Sequence, residues 1–177
     1  MANSDHDEKV HDYATKKLEA EVELFWKRSL FFWGFVAAAF VAYGVLFEKD
    51  DNELPLVIAC FGLVCSVAWT LANRASRRWQ DVWLQQVETV QPKIFGSYLF
   101  AFKPKTKGEW WGPSRYSVTK LAIALSDFTA LVWLVLIVKA TPLVKFSAWT
   151  CVSIAVILIT FLYLLAMLIG TRSAKSK

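Results

Sequence analysis

Residues 146–170, FSAWTCVSIAVILITFLYLLAMLIG, contain no charged side chain. A helix needs about 20 mostly apolar residues to cross the hydrocarbon core of a bilayer, and this stretch has that length and composition. Three further stretches have a similar length and character: residues 29–47, 54–72 and 121–138. Only short segments separate the two stretches of each pair, at 48–53 and 139–145. The sequence therefore predicts an all-α integral membrane protein whose four transmembrane helices form two hairpins with cytoplasmic helical extensions.

The predicted spans divide the chain into five segments. A cytoplasmic N-terminal helix (1–28) precedes the first transmembrane hairpin (29–72). A cytoplasmic helix and an aromatic connector (73–120) lead to the second hairpin (121–170), and a basic tail (171–177) follows. Because the first 28 residues are strongly charged and the first span lacks a small-residue cleavage site, we expect this span to be retained as an anchor.

The distribution of basic residues predicts the orientation of the chain. Only Lys49, Lys139 and Lys145 of the twenty Lys and Arg residues lie in the two short turns. Loops rich in Lys and Arg stay on the cytoplasmic side of a membrane. We therefore predict a multi-pass protein of the bacterial cytoplasmic (inner) membrane, with the N-terminus, the C-terminus and residues 73–120 in the cytoplasm.

The helix after the second span carries an apolar stripe rich in tryptophan. Trp79, Val82, Trp83 and Val87 recur at the spacing of one helical face. A helix that projects about 25 Å from the bilayer needs a surface against which to bury such a stripe. The candidates are the N-terminal helix, another subunit and the membrane surface. We favour a protein partner, because the basic residues are not gathered opposite the stripe, and predict an oligomer or partner surface at these four residues.

Two groups of residues are predicted to contact lipid headgroups. An arginine cluster abuts the predicted inner surface of the membrane, where anionic lipid attracts each basic residue by about 1 kcal/mol. The connector mixes aromatic and basic residues before the third span, which is typical of the headgroup zone. The predicted contacts are Arg74, Arg77, Arg78, Trp110, Trp111 and Arg115. A ligand-binding role for WWGPSRY, residues 110–116, remains an alternative to anchoring.

Each span also carries a row of small residues at four-residue spacing, which lets membrane helices pack closely. The rows are Gly34, Ala38 and Ala42; Gly62, Ser66 and Thr70; Ala122, Ser126 and Ala130; and Ser147, Cys151 and Ala155. Four rows in four spans indicate a tight bundle. The sequence leaves open whether they pack within the chain or between subunits.

Asp127 is the one charged residue inside the predicted spans. A charge at the bilayer centre costs about 2.5–3.5 kcal/mol on insertion scales, so such residues face a bundle interior or a wet cavity. We predict an intramembrane polar site at Asp127, Ser126 and Thr129. This site can be a tie between helices or part of an ion or proton path. The absence of a charged companion in the other spans favours the tie.

The sequence offers no recognisable catalytic or metal-binding motif. It contains no Gly-rich phosphate loop and no Ser–His or Cys–His constellation. Its cysteines are Cys60, Cys65 and Cys151, an odd number without the spacing of metal ligands. We therefore predict no enzymatic activity, no metal and no cofactor. Juxtamembrane lipid contact explains the basic residues better than nucleic-acid binding does.

The organisation of the chain resembles the RipA-type family of bacterial octameric inner-membrane proteins. The resemblance rests on NRASRRWQDVWLQQVETVQPKIFGSYLF (73–100) and WWGPSRYSVTKLAIALSDF (110–128), together with the helix and hairpin on either side. It implies a homo-octamer linked to bacterial adaptation and growth inside host cells, and it supplies no catalytic residues. A weaker similarity is to the two-span sensor–effector modules of phage-defence systems.

We therefore predict a non-enzymatic homo-oligomer that contacts itself and membrane lipids. Its expected role is a structural or regulatory assembly that supports stress or host adaptation. The alternative is a ring-shaped ion channel or transporter that uses Asp127 in a polar path.

Overall fold

Four α-helices make up the described part of the protein. The computed structural model describes the backbone of residues 2–47, 54–96, 117–141 and 148–170, and the side chains of 5–47, 54–96, 117–141 and 150–169. The helices are α1 (Ala2–Phe47), α2 (Leu54–Phe95), α3 (Val118–Ala140) and α4 (Ala148–Gly170). Each contains a window long and apolar enough to cross a membrane. The predicted all-α membrane fold with four spans is confirmed.

Helices α1 and α2 are much longer than a bilayer requires. Their 46 and 42 residues correspond to about 69 and 63 Å at 1.5 Å per residue, against a hydrocarbon core of about 30 Å. The predicted cytoplasmic helices therefore continue from the first two spans without a break. The sequence allows this because neither Gly nor Pro occurs in residues 5–28 or 73–91.

Proline disrupts the interior of a helix, so the sequence predicts that the helix after the second span ends at Pro92. The structure differs. Pro92 lies inside α2, which continues to Phe95. Gly96 follows with φ of 71°, and its N–H donates to the Pro92 carbonyl at 3.1 Å. A left-handed glycine after the last helical residue is a common helix C-cap. Pro92 removes one N–H from the ladder, whereas the conformation of Gly96 ends the helix.

The described residues fall into two compact units. The first contains residues 2–29, 72–96 and 117–123, and the second contains 30–47, 54–71, 124–141 and 148–170. The divisions lie inside α1, α2 and α3. Two of them fall within one residue of the boundaries predicted at 28/29 and 72/73. The five-segment organisation itself stays a prediction.

Trp133 occupies the centre of the second unit and is fully buried. Its indole stacks on Phe40 with ring centroids 4.2 Å apart and meets the edge of Tyr43 at 6.2 Å. Gly62 lies directly against the indole, because a Cβ added there would collide with the Trp133 ring. A residue without a side chain on α2 thus makes room for the largest side chain of α3.

Candidate assembly surface and intramembrane polar site

In the first unit, α1 and α2 pack side by side in opposite directions. The rings of His11 and Phe95 have centroids 5.6 Å apart. At the other end, Ser29 Oγ donates to Asn73 Oδ1 at 3.3 Å. The two helices are therefore antiparallel. The Ser29–Asn73 pair shows which turn of α1 lies opposite which turn of α2.

One stripe of α2 is covered within the chain. Its residues are separated alternately by three and four positions, the spacing of a helix packed along another helix. The stripe comprises Asn73, Ser76, Gln80, Trp83, Val87 and Val90, each buried or half-buried. It is polar near the predicted membrane boundary and apolar farther along the helix.

The predicted oligomer surface divides between this stripe and the next. Trp83 and Val87 belong to the covered stripe, and the Trp83 ring meets the edge of Tyr13 with centroids 6.0 Å apart. Trp79 and Val82 lie on the neighbouring face of α2, beside the covered stripe, and are 53% and 39% exposed. Tyr13 is 57% exposed. We call the exposed surface formed by Tyr13, Trp79 and Val82, with Trp83 between the helices, the Tyr13–Trp79 face.

A second exposed apolar patch lies on the other side of α1. Val22 and Trp26 are 41% and 47% exposed. At about 100° per residue they lie about 180° and 140° around the helix from Tyr13. Beside them, Lys27 Nζ lies 2.6 Å from Glu23 Oε1, and this hydrogen bond lowers the pKa of Glu23 below its usual value. We call Val22 and Trp26 the Val22–Trp26 face.

A polar layer joins the three helices of the first unit. Arg28 Nη1 donates to Ser76 Oγ at 2.8 Å, linking α1 to α2. Arg77 Nη1 donates to Ser117 Oγ at 3.0 Å, linking α2 to the residue before α3. Arg77 Nε also lies 3.0 Å from Asp81 Oδ1. Arg77 therefore has a structural role in addition to its predicted contact with lipid.

The remaining predicted headgroup residues have different positions. Arg74 and Arg78 are exposed, as a contact with lipid requires. Trp110, Trp111 and Arg115 lie outside the described residues. Lipid contact stays a prediction for all six residues.

In the second unit, the predicted intramembrane site is built mostly from hydroxyl groups. Thr70 Oγ1 donates to the fully buried Ser126 Oγ at 3.0 Å, linking α2 to α3. Thr129 is buried, and its hydroxyl donates to the Leu125 carbonyl of its own helix at 2.8 Å. Asp127 lies between these residues in sequence and is half-buried. The arrangement joins helices through Ser126 and leaves the function of Asp127 as a prediction.

Thr129 also borders an open groove of ≈ 200 Å³ on the second unit. The groove is otherwise lined by apolar residues: Trp33, Val36, Ala37, Phe40, Trp69 and Leu125. No titratable side chain lines it, so the groove suits an apolar group better than an ion.

The described residues contain no group of three His, Cys, Asp or Glu side chains arranged to hold a metal ion. All three cysteines are free; Cys60 is buried, Cys65 is half-buried and Cys151 is exposed. The arrangement of the hydroxyl site and the polar layer suits packing and assembly.

Comparison with known families identifies the chain. The model of the octameric membrane protein family (8xMP) matches residues 9–142. The chain belongs to this family. The match covers all of α2 and α3 and α1 from Lys9 onward, while α4 lies beyond it. Membership of the octameric membrane protein family confirms the RipA-type resemblance, and the family name implies octameric self-assembly. No curated protein and no solved structure matches the chain.

Proposed function

We propose that the chain is a non-enzymatic homo-octamer of the bacterial inner membrane, with both termini in the cytoplasm. It acts as a structural or regulatory assembly that supports stress or host adaptation. The RipA-type resemblance supports the adaptive role. The helical extensions of the first unit carry the contact between subunits.

The observation that carries this proposal is the exposure of Trp79 and Val82 on a helix outside the predicted span. Tryptophan is enriched at the energetic centres of protein interfaces. Trp83, one turn along, is held by Tyr13 of the same chain. Trp79 is therefore available for a second copy, whereas Trp83 stabilises the pairing of α1 with α2.

Replacing Trp79 with serine tests the proposal. We expect Trp79→Ser to shift the purified protein in mild detergent from eight copies to smaller species. Loss of an interface Trp costs about 2 kcal/mol or more at a hot spot, which is enough to dissociate a marginal ring. Native mass spectrometry or light scattering corrected for detergent measures the number of copies.

Leu84→Ser provides the matched control, because Leu84 is 43% exposed on the same helix but lies about 140° around it from Trp79. This variant should keep its octameric mass. Octamers of unchanged stability in Trp79→Ser would contradict the proposed role of the surface. The helical content of both variants, measured by circular dichroism, separates lost assembly from lost folding.

The second candidate function is a ring-shaped channel or transporter. The half-buried carboxylate of Asp127 within α3 is the observation that favours it. Intramembrane carboxylates often mark ion or proton paths. This candidate and the structural assembly predict different results in sealed vesicles.

A further inference from the structure

We infer that the subunits contact each other head to tail, with the Tyr13–Trp79 face of one copy packed on the Val22–Trp26 face of the next. The inference rests on the proposed octameric assembly and names the two surfaces that form its repeated contact. Both surfaces belong to the first unit, so each is described within one compact part of the chain.

The membrane restricts the symmetry of such an octamer. All copies inserted with the same orientation can be related only by rotation about an axis perpendicular to the bilayer. Eight equivalent copies around one axis form a cyclic ring, in which every contact joins two different surfaces of the subunit. A contact in which the same surface of both copies meets itself about this axis would give a closed dimer, with no surface left for further copies. The ring therefore requires two distinct faces that point away from each other.

The first unit has two such faces. Val22 and Trp26 lie on the opposite side of α1 from Tyr13, and Tyr13 lies on the side where Trp83 of α2 meets it. Trp79 precedes Trp83 by one turn and is adjacent to it on the surface of α2. Each face therefore presents one half-exposed tryptophan with an exposed valine.

Trp79 and the Val22–Trp26 face also lie at similar depths. The Ser29–Asn73 pair provides a common reference level on α1 and α2. Measured from it along each helix at 1.5 Å per residue, Trp79 lies about 9 Å away, Val22 about 10.5 Å and Trp26 about 4.5 Å. Rotation about an axis perpendicular to the membrane leaves depth unchanged. In the next copy, Trp79 therefore arrives level with Val22 and one turn from Trp26.

Charge favours the same pairing. Residues 5–28 of α1 contain seven acidic and five basic residues, whereas residues 74–96 of α2 contain four basic and two acidic residues. A head-to-tail contact places α1 of one copy beside α2 of the next, so opposite net charges meet. A contact between two α1 helices or two α2 helices would bring like charges together, which disfavours association.

Cysteine cross-linking distinguishes this contact from the alternatives. The starting protein has Cys60, Cys65 and Cys151 replaced by alanine and is first shown to have the mass of eight copies. Cysteines are then introduced as Val22→Cys and Val82→Cys, singly and together. The octamers are treated with a short bifunctional thiol reagent and analysed by denaturing electrophoresis.

We expect the chain with both cysteines to give a ladder of covalent species extending to eight copies. Either single-cysteine chain should give less than one tenth of the dimer formed by the pair, and octamers assembled from a mixture of the two single-cysteine chains should give dimers. Val22→Cys combined with Leu84→Cys is the matched control. Leu84 lies about 160° around α2 from Val82, so this pair should give no ladder.

Several results would overturn the inference. Efficient dimers from Val82→Cys alone would show a self-complementary contact, and an equal ladder from the Leu84→Cys control would show no preference for the face. If the double-cysteine protein has the mass of eight copies but gives no cross-linked species, the interface lies elsewhere. The proposed octamer would then stand without this contact. A starting protein with a mass below eight copies would contradict the assembly itself.

Discussion

At the scale of single residues, Gly62 sets how closely α2 approaches α3. Ser66 and Thr70 follow it along the same small-residue row, and all three are buried. A Cβ at Gly62 would enter the space of the Trp133 indole, which Phe40 supports from another side. The indole has little room to retreat, because interiors are packed at near-crystalline density.

We therefore expect Gly62→Ala to lower the free energy of unfolding in detergent by about 1–3 kcal/mol, the usual cost of overpacking. Gly34→Ala is the control, because nothing lies within 4 Å of a Cβ added there. Thermal or chemical denaturation followed by tryptophan fluorescence measures both variants. Equal stability of the two would show that α2 and α3 do not pack as described.

Asp127 provides a second prediction at the residue scale. If the protein is a structural or regulatory assembly, liposomes containing the purified octamer will hold an ion gradient as well as protein-free liposomes, and Asp127→Asn will leave this unchanged. The physical reason is that the predicted spans contain no other charged residue to continue a relay. Fluorescence of a pH-sensitive or potassium-sensitive dye reports the flux. A leak in the unmodified protein that Asp127→Asn alters would favour the channel.

At the scale of helices, the small-residue rows divide into two kinds. The row of α2 is buried, and Ser126 of the α3 row is buried against it. Gly34 and Ala38 on α1 and Cys151 and Ala155 on α4 are exposed. The small-residue rows of α2 and α3 therefore serve packing within the chain. The small-residue rows of α1 and α4 face the surroundings of the chain, either lipid or another copy.

The hydrogen bond between Thr70 and Ser126 makes the contact between α2 and α3 measurable. We expect a double-mutant cycle of Thr70→Val and Ser126→Ala to give a coupling of about 0.6 kcal/mol, the average for hydrogen bonds between membrane helices. Thr129→Val replaces Ser126→Ala in the control cycle, because Thr129 donates within its own helix. The control coupling should be close to zero. Equal couplings in the two cycles would argue against the contact.

At the scale of the whole molecule, the orientation in the membrane rests on the charge of the loops. We expect alkaline phosphatase, which is active only outside the cytoplasm, to be inactive when fused after Lys177 or after residue 105. Fusions after residue 51 or residue 142 should be active. The positive-inside rule gives this pattern, because the two short turns contain few basic residues. Activity of the fusion after Lys177 would reverse the proposed topology.

The membrane class, the number of spans and the continuation of α1 and α2 beyond the length of a bilayer all follow from the sequence alone. These are local properties, because the transfer of about 20 residues into hydrocarbon depends on their composition rather than on their neighbours in space. The uninterrupted helices followed in the same way from the absence of Gly and Pro over the first 28 residues and over 73–91. The end of α2 was three residues beyond expectation, since Gly96 rather than Pro92 caps it.

The side of each helix that is covered depends on how the helices pack against one another in the fold. Trp79, Val82, Trp83 and Val87 fit one apolar stripe by spacing alone. In the fold, Trp83 lies against Tyr13 of α1 and Val87 is half-buried, whereas Trp79 and Val82 are exposed. Spacing likewise cannot show that Gly62 accommodates Trp133, because the two residues are 71 positions apart in sequence. Periodicity defines the faces of a helix, and its neighbours in space determine which of those faces remain open to a second copy.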